Sequence, residues 1–176
     1  ARKQRLRPRY LAVAGALLLA VGVISLMGII TAEALYPGDY GTGQNEISDL
    51  GATRPPDSVI LEPSATLFNT VMIVSGALVL IASFCLRRAS GRTAASIFTG
   101  LFGLGALGVG VFPGDYGTVH AIFALLTFVA GGLAAIAAFG VSTSPFKYFS
   151  VVLGATALVT LLVYTLVGED SFLGSL

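Results

Sequence analysis

Long apolar runs and short polar ones alternate along this chain. Five runs stand out: Tyr10–Ala32, Leu67–Leu86, Ala94–Val111, Val119–Val141 and Tyr148–Val167. A helix needs roughly 20 apolar residues to cross a bilayer core, and each run comes close to that length. The residue-by-residue alternation of a membrane barrel strand is absent. The pattern therefore predicts an all-α fold, a polytopic transmembrane helical bundle of five spans forming one domain over residues 1–176. Spans one and three, each with the turn that follows, cover 10–42 and 94–118. A polar segment, 43–66, separates span one from span two, and the remaining connections are short.

Composition agrees with that pattern. Hydrophobic residues make up 55% of the chain and charged ones 11%, where a soluble domain carries about 25% charged residues. Charge also sets a direction. The basic residues Arg2, Lys3, Arg5, Arg7, Arg9, Arg87, Arg88, Arg92 and Lys147 fall on one side of the threaded spans, leaving Arg54 opposite. All the acids fall with Arg54: Glu33, Asp39, Glu46, Asp49, Asp57, Glu62, Asp115, Glu169 and Asp170. The positive-inside rule then puts the N-terminus in the cytoplasm of a plasma-membrane protein. Ala32-Glu33-Ala34 mimics a signal-peptidase site, but the apolar run before it is too long for a signal core, so span one is read as an anchor. One basic arm is no nucleic-acid surface, and the partners expected are membrane lipids and a protein in the membrane. Cys85, alone, reads as a small buried hydrophobe.

A hexapeptide, Pro-Gly-Asp-Tyr-Gly-Thr, occurs at 37–42 and again at 113–118. Both copies follow a span running outward, so each caps a helical hairpin on the outer face. This predicts two parallel helical-hairpin repeats with Asp39 and Asp115 in equivalent places. Pro-Gly favours a type II turn with positive φ at Gly38 or Gly114, and Thr118 is placed to cap span four. In the segment after the first copy, Asn45 is placed to cap a short helix through Leu50, closed by Gly51. Pro55 and Pro56 favour an extended stretch, and the segment is expected to fold over the outer mouth. The small-residue pairs Thr99/Gly103, Ala106/Gly110 and Gly131/Ala135 predict close packing of spans three and four.

The string "NEISDLGA" at Asn45–Ala52, with Phe112, Pro113, Gly117 and His120 at the start of a later span, resembles the domain of unknown function 998 family. These are small prokaryotic, often archaeal, membrane proteins. The resemblance implies a plasma-membrane helical bundle without an established reaction. Family members look like six-span proteins, which implies that this chain, ending "GEDSFLGSL", lacks a last helix.

Candidate chemistry collects on the outer face. Asp39, Tyr40, Asn45, Ser48, Asp49, Asp115, Tyr116 and His120 are the expected binding residues, with Glu46 and Asn69 nearby in the threading. They are expected to converge into one polar cluster in which close carboxylates raise a pKa. One histidine and one remote cysteine do not make a zinc site without carboxylates. No cofactor is expected, although a divalent cation on Asp39, Asp115 and His120 is an option. The chain has no phosphate-binding Gly-Lys-Ser/Thr loop and no Gly-x-Ser-x-Gly elbow. The first reading is a non-enzymatic bundle that binds lipid or a protein partner through a polar outer-face site. The alternative is a membrane-interface hydrolase or transferase acting on a lipid, with Asp49 and His120 as acid/base pair. A small transporter comes third, because the spans hold no charged residues.

Overall fold

Helices form where the chain is continuously apolar, and polar or special residues stop them. In the computed structural model, which describes residues 7–91 and 93–167, five α-helices cover most of the chain. They are α1 (Pro8–Ala34), α2 (Ser64–Ser90), α3 (Ala94–Val111), α4 (Thr118–Ala137) and α5 (Phe146–Val167). All five are long and apolar enough to cross a membrane, α4 together with the short 3-10 turn Ala138–Gly140 that continues it. No strand occurs among the described residues. The molecule is a multi-pass membrane helical bundle. Arg2, Lys3, Arg5, Arg92, Glu169, Asp170 and the rest of the terminal "GEDSFLGSL" string lie outside the described residues.

The ends follow local chemistry. Pro8 opens α1, where a missing N–H costs nothing. Arg87 and Arg88 sit in the last turn of α2, against the negative end of its dipole, and Gly91 ends the helix at φ 81°. Thr93 caps α3: its hydroxyl accepts from Ser96 N–H at 3.3 Å, and Ser96 Oγ accepts from Thr93 N–H at 3.2 Å. Helices α1, α2 and α5 extend beyond the apolar runs by a few residues, because polar first and last turns are helical without being apolar.

Each helix packs on the next in sequence, and α3 lies deepest. Half of its apolar stretch is buried in protein, against 17% for α1 and 6% for α5. Small residues explain that depth, since they let backbones approach. Gly76 on α2 lies against the Leu107 backbone, Gly103 against the Gly76 carbonyl and Val79, and Gly110 against the Asn69 carbonyl. A second face of α3 meets α4, with Gly105 against Thr127 and Gly108 against the Phe123 ring. The Gly103 and Gly110 stripe thus serves α2, and the contact with α4 uses different glycines. Gly131 meets the Phe102 ring, whereas neighbouring Gly132 and Gly154 bring α4 and α5 together. Helix α1 leans on α2 through Gly28 and Val71 and through a Ser25–Ser75 hydroxyl bond of 2.9 Å.

At the end carrying both hexapeptides, the buried residues Ala32, Leu50, Phe68 and Val109 form one apolar cluster, which draws on three helices and the 43–63 segment. Phe123 of α4 packs against it. At the opposite end Ala14, Cys85 and Leu86 form a smaller cluster, and Cys85 is a buried free thiol.

Candidate functional site

The two hexapeptides share one contact and differ in almost everything else. In the first, Tyr36 and Tyr40 meet edge to face at 5.5 Å, and in the second Phe112 and Tyr116 do so at 5.4 Å. The motif tyrosine is therefore held by the aromatic residue that precedes its proline, a contact that spacing along the chain did not reveal. Neither Gly38 nor Gly114 has positive φ, so neither copy is the expected type II turn. The second copy is a 3-10 turn, Gly114–Tyr116, whose bonds run from Tyr116 N–H to Pro113 O and from Gly117 N–H to Gly114 O. Positive φ falls instead on Gly117, at 54°, where the chain turns into α4. Gly117 thus takes the capping position, and Thr118 is the first residue of the helix, with no side-chain cap. Gly114 is buried for another reason: the Ala52 carbonyl lies where a side chain would begin. Gly38 is exposed, with its nearest neighbour, the Tyr36 ring, 3.6 Å from the place a Cβ would take.

The 43–63 segment does cover this end of the bundle. Asn45 turns back on the first hexapeptide, its Oδ1 accepting from Gly41 N–H at 3.1 Å. It caps no helix. The short 3-10 turn Ile47–Leu50 is opened by Glu46, whose N–H donates to Asp49 Oδ2 at 2.9 Å. Leu50 then plugs the apolar cluster, and Ser64 Oγ donates to its carbonyl at 3.0 Å. Gly51 packs on Phe68 and Asn69. Residues 53–59 close into a loop through Thr53 N–H to Val59 O (3.0 Å) and Val59 N–H to Thr53 Oγ1 (2.7 Å), so Pro55 and Pro56 sit at a bend and not in an extended stretch. Glu46 anchors three partners. Arg54 donates to both its carboxylate oxygens at 2.8 Å, Tyr164 of α5 to Oε1 at 3.1 Å, and Ser48 Oγ to Oε2 at 3.4 Å. Tyr40 donates to the Glu46 carbonyl at 3.2 Å.

The expected cluster is only partly assembled. Asp39 is exposed and makes no side-chain hydrogen bond. Asp49 is committed to Glu46 N–H. Burial pushes its carboxyl above the ordinary value, and the Glu46 charge adds to that while Glu46 N–H, Asn45 and Arg54 oppose it. Repulsion among carboxylates is the lesser cause. Tyr40 is raised too, by burial first and then by Glu33, Asp49 and Tyr36. No hydrogen bond joins Asp49 to His120. Among the described residues no three His, Cys, Asp or Glu side chains gather as a metal site would require, so Asp39, Asp115 and His120 do not form one.

His120 stands apart. It lies in the first turn of α4 and is 2% exposed. Its Nδ1 lies 2.8 Å from the Phe112 carbonyl, which can only accept, so Nδ1 carries the proton. The other ring nitrogen, Nε2, makes no such bond. That Nε2 is buried with no partner, as are Asp115 Oδ1 and Asn69 Oδ1. The His120–Phe112 bond closes residues 112–120 into a ring that contains Asp115. Asn69 is linked to the ring through Gly51, whose neighbour Ala52 touches Gly114. Asn69 Nδ2 makes one long bond of 3.5 Å to the Gly51 carbonyl. Three polar side-chain atoms thus lie buried without partners at one end of the bundle.

A family model described as "Protein of unknown function (DUF998)" matches residues 19–175. No curated protein and no solved structure matches the chain.

Proposed function

The chain belongs to the DUF998 family of proteins of unknown function, and from that premise we propose that it is a non-enzymatic membrane bundle that binds a lipid headgroup at its hexapeptide end. The observation that carries this reading is His120, a buried imidazole with one nitrogen anchored and the other unpartnered. Leaving a buried polar atom unpaired costs about 1–3 kcal/mol. A ligand that completes the hydrogen bonds offsets that cost, and a protein whose apolar helices lie in lipid meets headgroups before any other ligand. Binding is favoured over hydrolysis or group transfer because Asp49, the expected partner of His120 in catalysis, is held by Glu46 N–H.

Charge supports an orientation in the plasma membrane. Arg7, Arg9, Arg87, Arg88 and Lys147 lie at one end of the helices, and Glu33, Asp39, Glu46, Asp49, Asp57, Glu62 and Asp115 at the other. By the positive-inside rule the basic end faces the cytoplasm and the hexapeptides face out. The test of binding is thermal stability in detergent before and after lipid extract is returned to delipidated protein. Lipid is expected to raise the melting temperature of the wild type and to have a much smaller effect on His120→Ala. Equal responses from the two proteins would remove His120 from any lipid site.

A further inference from the structure

We propose that the turn between α4 and α5 is a separate lipid site, which takes the phosphate of an anionic phospholipid from the leaflet at the basic end. Lys147 supplies its cation, and Phe139 and Tyr148 hold that cation in place. The Lys147 Nζ lies 5.1 Å from the centre of the Phe139 ring and 4.9 Å from that of Tyr148. The two rings meet edge to face at 5.9 Å. Ring faces attract an ammonium only weakly at an exposed site, so they orient Lys147 without neutralising it. No carboxylate neutralises it either. Lys147 makes no ion pair among the described residues, and residues 1–10, 87–94 and 138–147 contain no Asp or Glu.

The helix itself adds to the unbalanced charge. Lys147 is the second residue of α5, whose first turn has no acid, so a cation is carried on the positive end of the helix dipole with nothing to offset it. Arg87 and Arg88 stand at the favourable, negative end of α2. Arg7 and Arg9 begin α1 as Lys147 begins α5, but neither has a ring against its guanidinium among the described residues. Lys147 thus combines an uncompensated charge with a held position, and an external anion answers both. Depth selects lipid as the source of that anion. Phe139, Phe146, Tyr148 and Phe149 are all exposed, by 46% to 69%, and rings at the end of a membrane helix sit at headgroup level, with lysine reaching outward beside them. Phosphatidylcholine brings its own cation to its phosphate, whereas a glycerol headgroup does not.

The experiment places the purified protein in nanodiscs of phosphatidylcholine, alone or with part of that lipid replaced by phosphatidylglycerol. The readouts are lipid retained in native mass spectrometry and melting temperature. The wild type is expected to retain phosphatidylglycerol over phosphatidylcholine. Lys147→Gln should lower that preference roughly fivefold, the effect of one lysine near an anionic surface. Phe139→Leu combined with Tyr148→Leu keeps the charge, removes the rings and should lower the preference in part. Arg87→Gln removes a charge from the same end and should change it little. Equal losses in Arg87→Gln and Lys147→Gln would reduce the effect to overall basic charge and sink the site. An undiminished preference in the ring variant would overturn the aromatic clamp, and no preference in the wild type would overturn the whole proposal. Inorganic phosphate that stabilises the protein in phosphatidylcholine discs as well as phosphatidylglycerol does would uphold the phosphate and remove the lipid. None of these outcomes involves His120, so the reading of the hexapeptide end stands or falls separately.

Discussion

Gly38 and Gly114 occupy the same place in two identical hexapeptides, yet only one is sterically required. A Cβ on Gly114 would collide with the Ala52 carbonyl, which is backbone and cannot swing away, whereas one on Gly38 would meet only ordinary contacts. Gly114→Ala is expected to destabilise by about 1–3 kcal/mol, the usual cost of overpacking, and Gly38→Ala to change melting temperature little. Equal effects would mean that the Ala52 contact is not formed. Asp49 offers a test by pH. Its folded-state pKa is raised above the ordinary carboxylate value, with burial the main cause. The folded state therefore holds its proton more tightly, and stability from this group falls as pH rises from the unfolded value through the folded one. Asp49→Asn keeps an oxygen for Glu46 N–H and should flatten that decline in thermal melts taken from mildly acidic to neutral pH. An unchanged slope would assign the decline to another group.

At the scale of elements, α5 is the least embedded helix, with 6% of its apolar stretch buried. Gly132 and Gly154 decide its docking: a Cβ on Gly154 would press on the Gly132 carbonyl and on the Ala135 and Ile136 side chains. Gly154→Val is expected to loosen α5 while α2 and α3 stay packed. Hydrogen–deuterium exchange should rise over 146–167 and stay low over 94–111, and a uniform rise would show that α5 supports the whole bundle. The far end of α5 is tied to the covering segment by Tyr164 and Glu46 at 3.1 Å. The bond is exposed and worth about 1 kcal/mol or less. Tyr164→Phe should therefore speed exchange near 47–54 and at the end of α5, with only a small change in overall stability.

For the whole molecule, the prediction is its orientation. Gly43 is exposed with open space around it and Ser144 is exposed in the opposite connection, so each accepts a reporter cysteine in a Cys85→Ala background. An impermeant thiol reagent on intact cells is expected to label Gly43→Cys and spare Ser144→Cys until the membrane is opened. The reverse pattern would overturn the charge rule for this chain. The same view of the whole explains why α3 is deepest. It carries several glycines on each of two faces, one matched to α2 and the other to α4, so its neighbours close on it from both sides.

Sequence alone determined what depends on hydropathy and chain order: five spans, their all-helical class, the family, and the segregation of charge to opposite ends. These follow because a bilayer forces every backbone polar group into a helix or closed barrel, whatever the helices touch. Helix α3 covers the apolar run Ala94–Val111, and the structure adds the Thr93 cap that opens it. Tertiary structure decided how differently the two copies of the hexapeptide are buried. The identical strings carry the same torsional preferences, but only the second lies beneath Ala52 and Pro55. That contact buries Gly114 and passes the positive φ to Gly117. It also separated Asp39, left exposed, from Asp115, whose Oδ1 is buried. No spacing rule predicts that His120 bonds back to Phe112 and leaves Nε2 without a partner. That arrangement comes from the packing of α4 against α3 and the segment above them, contacts between residues far apart in the chain.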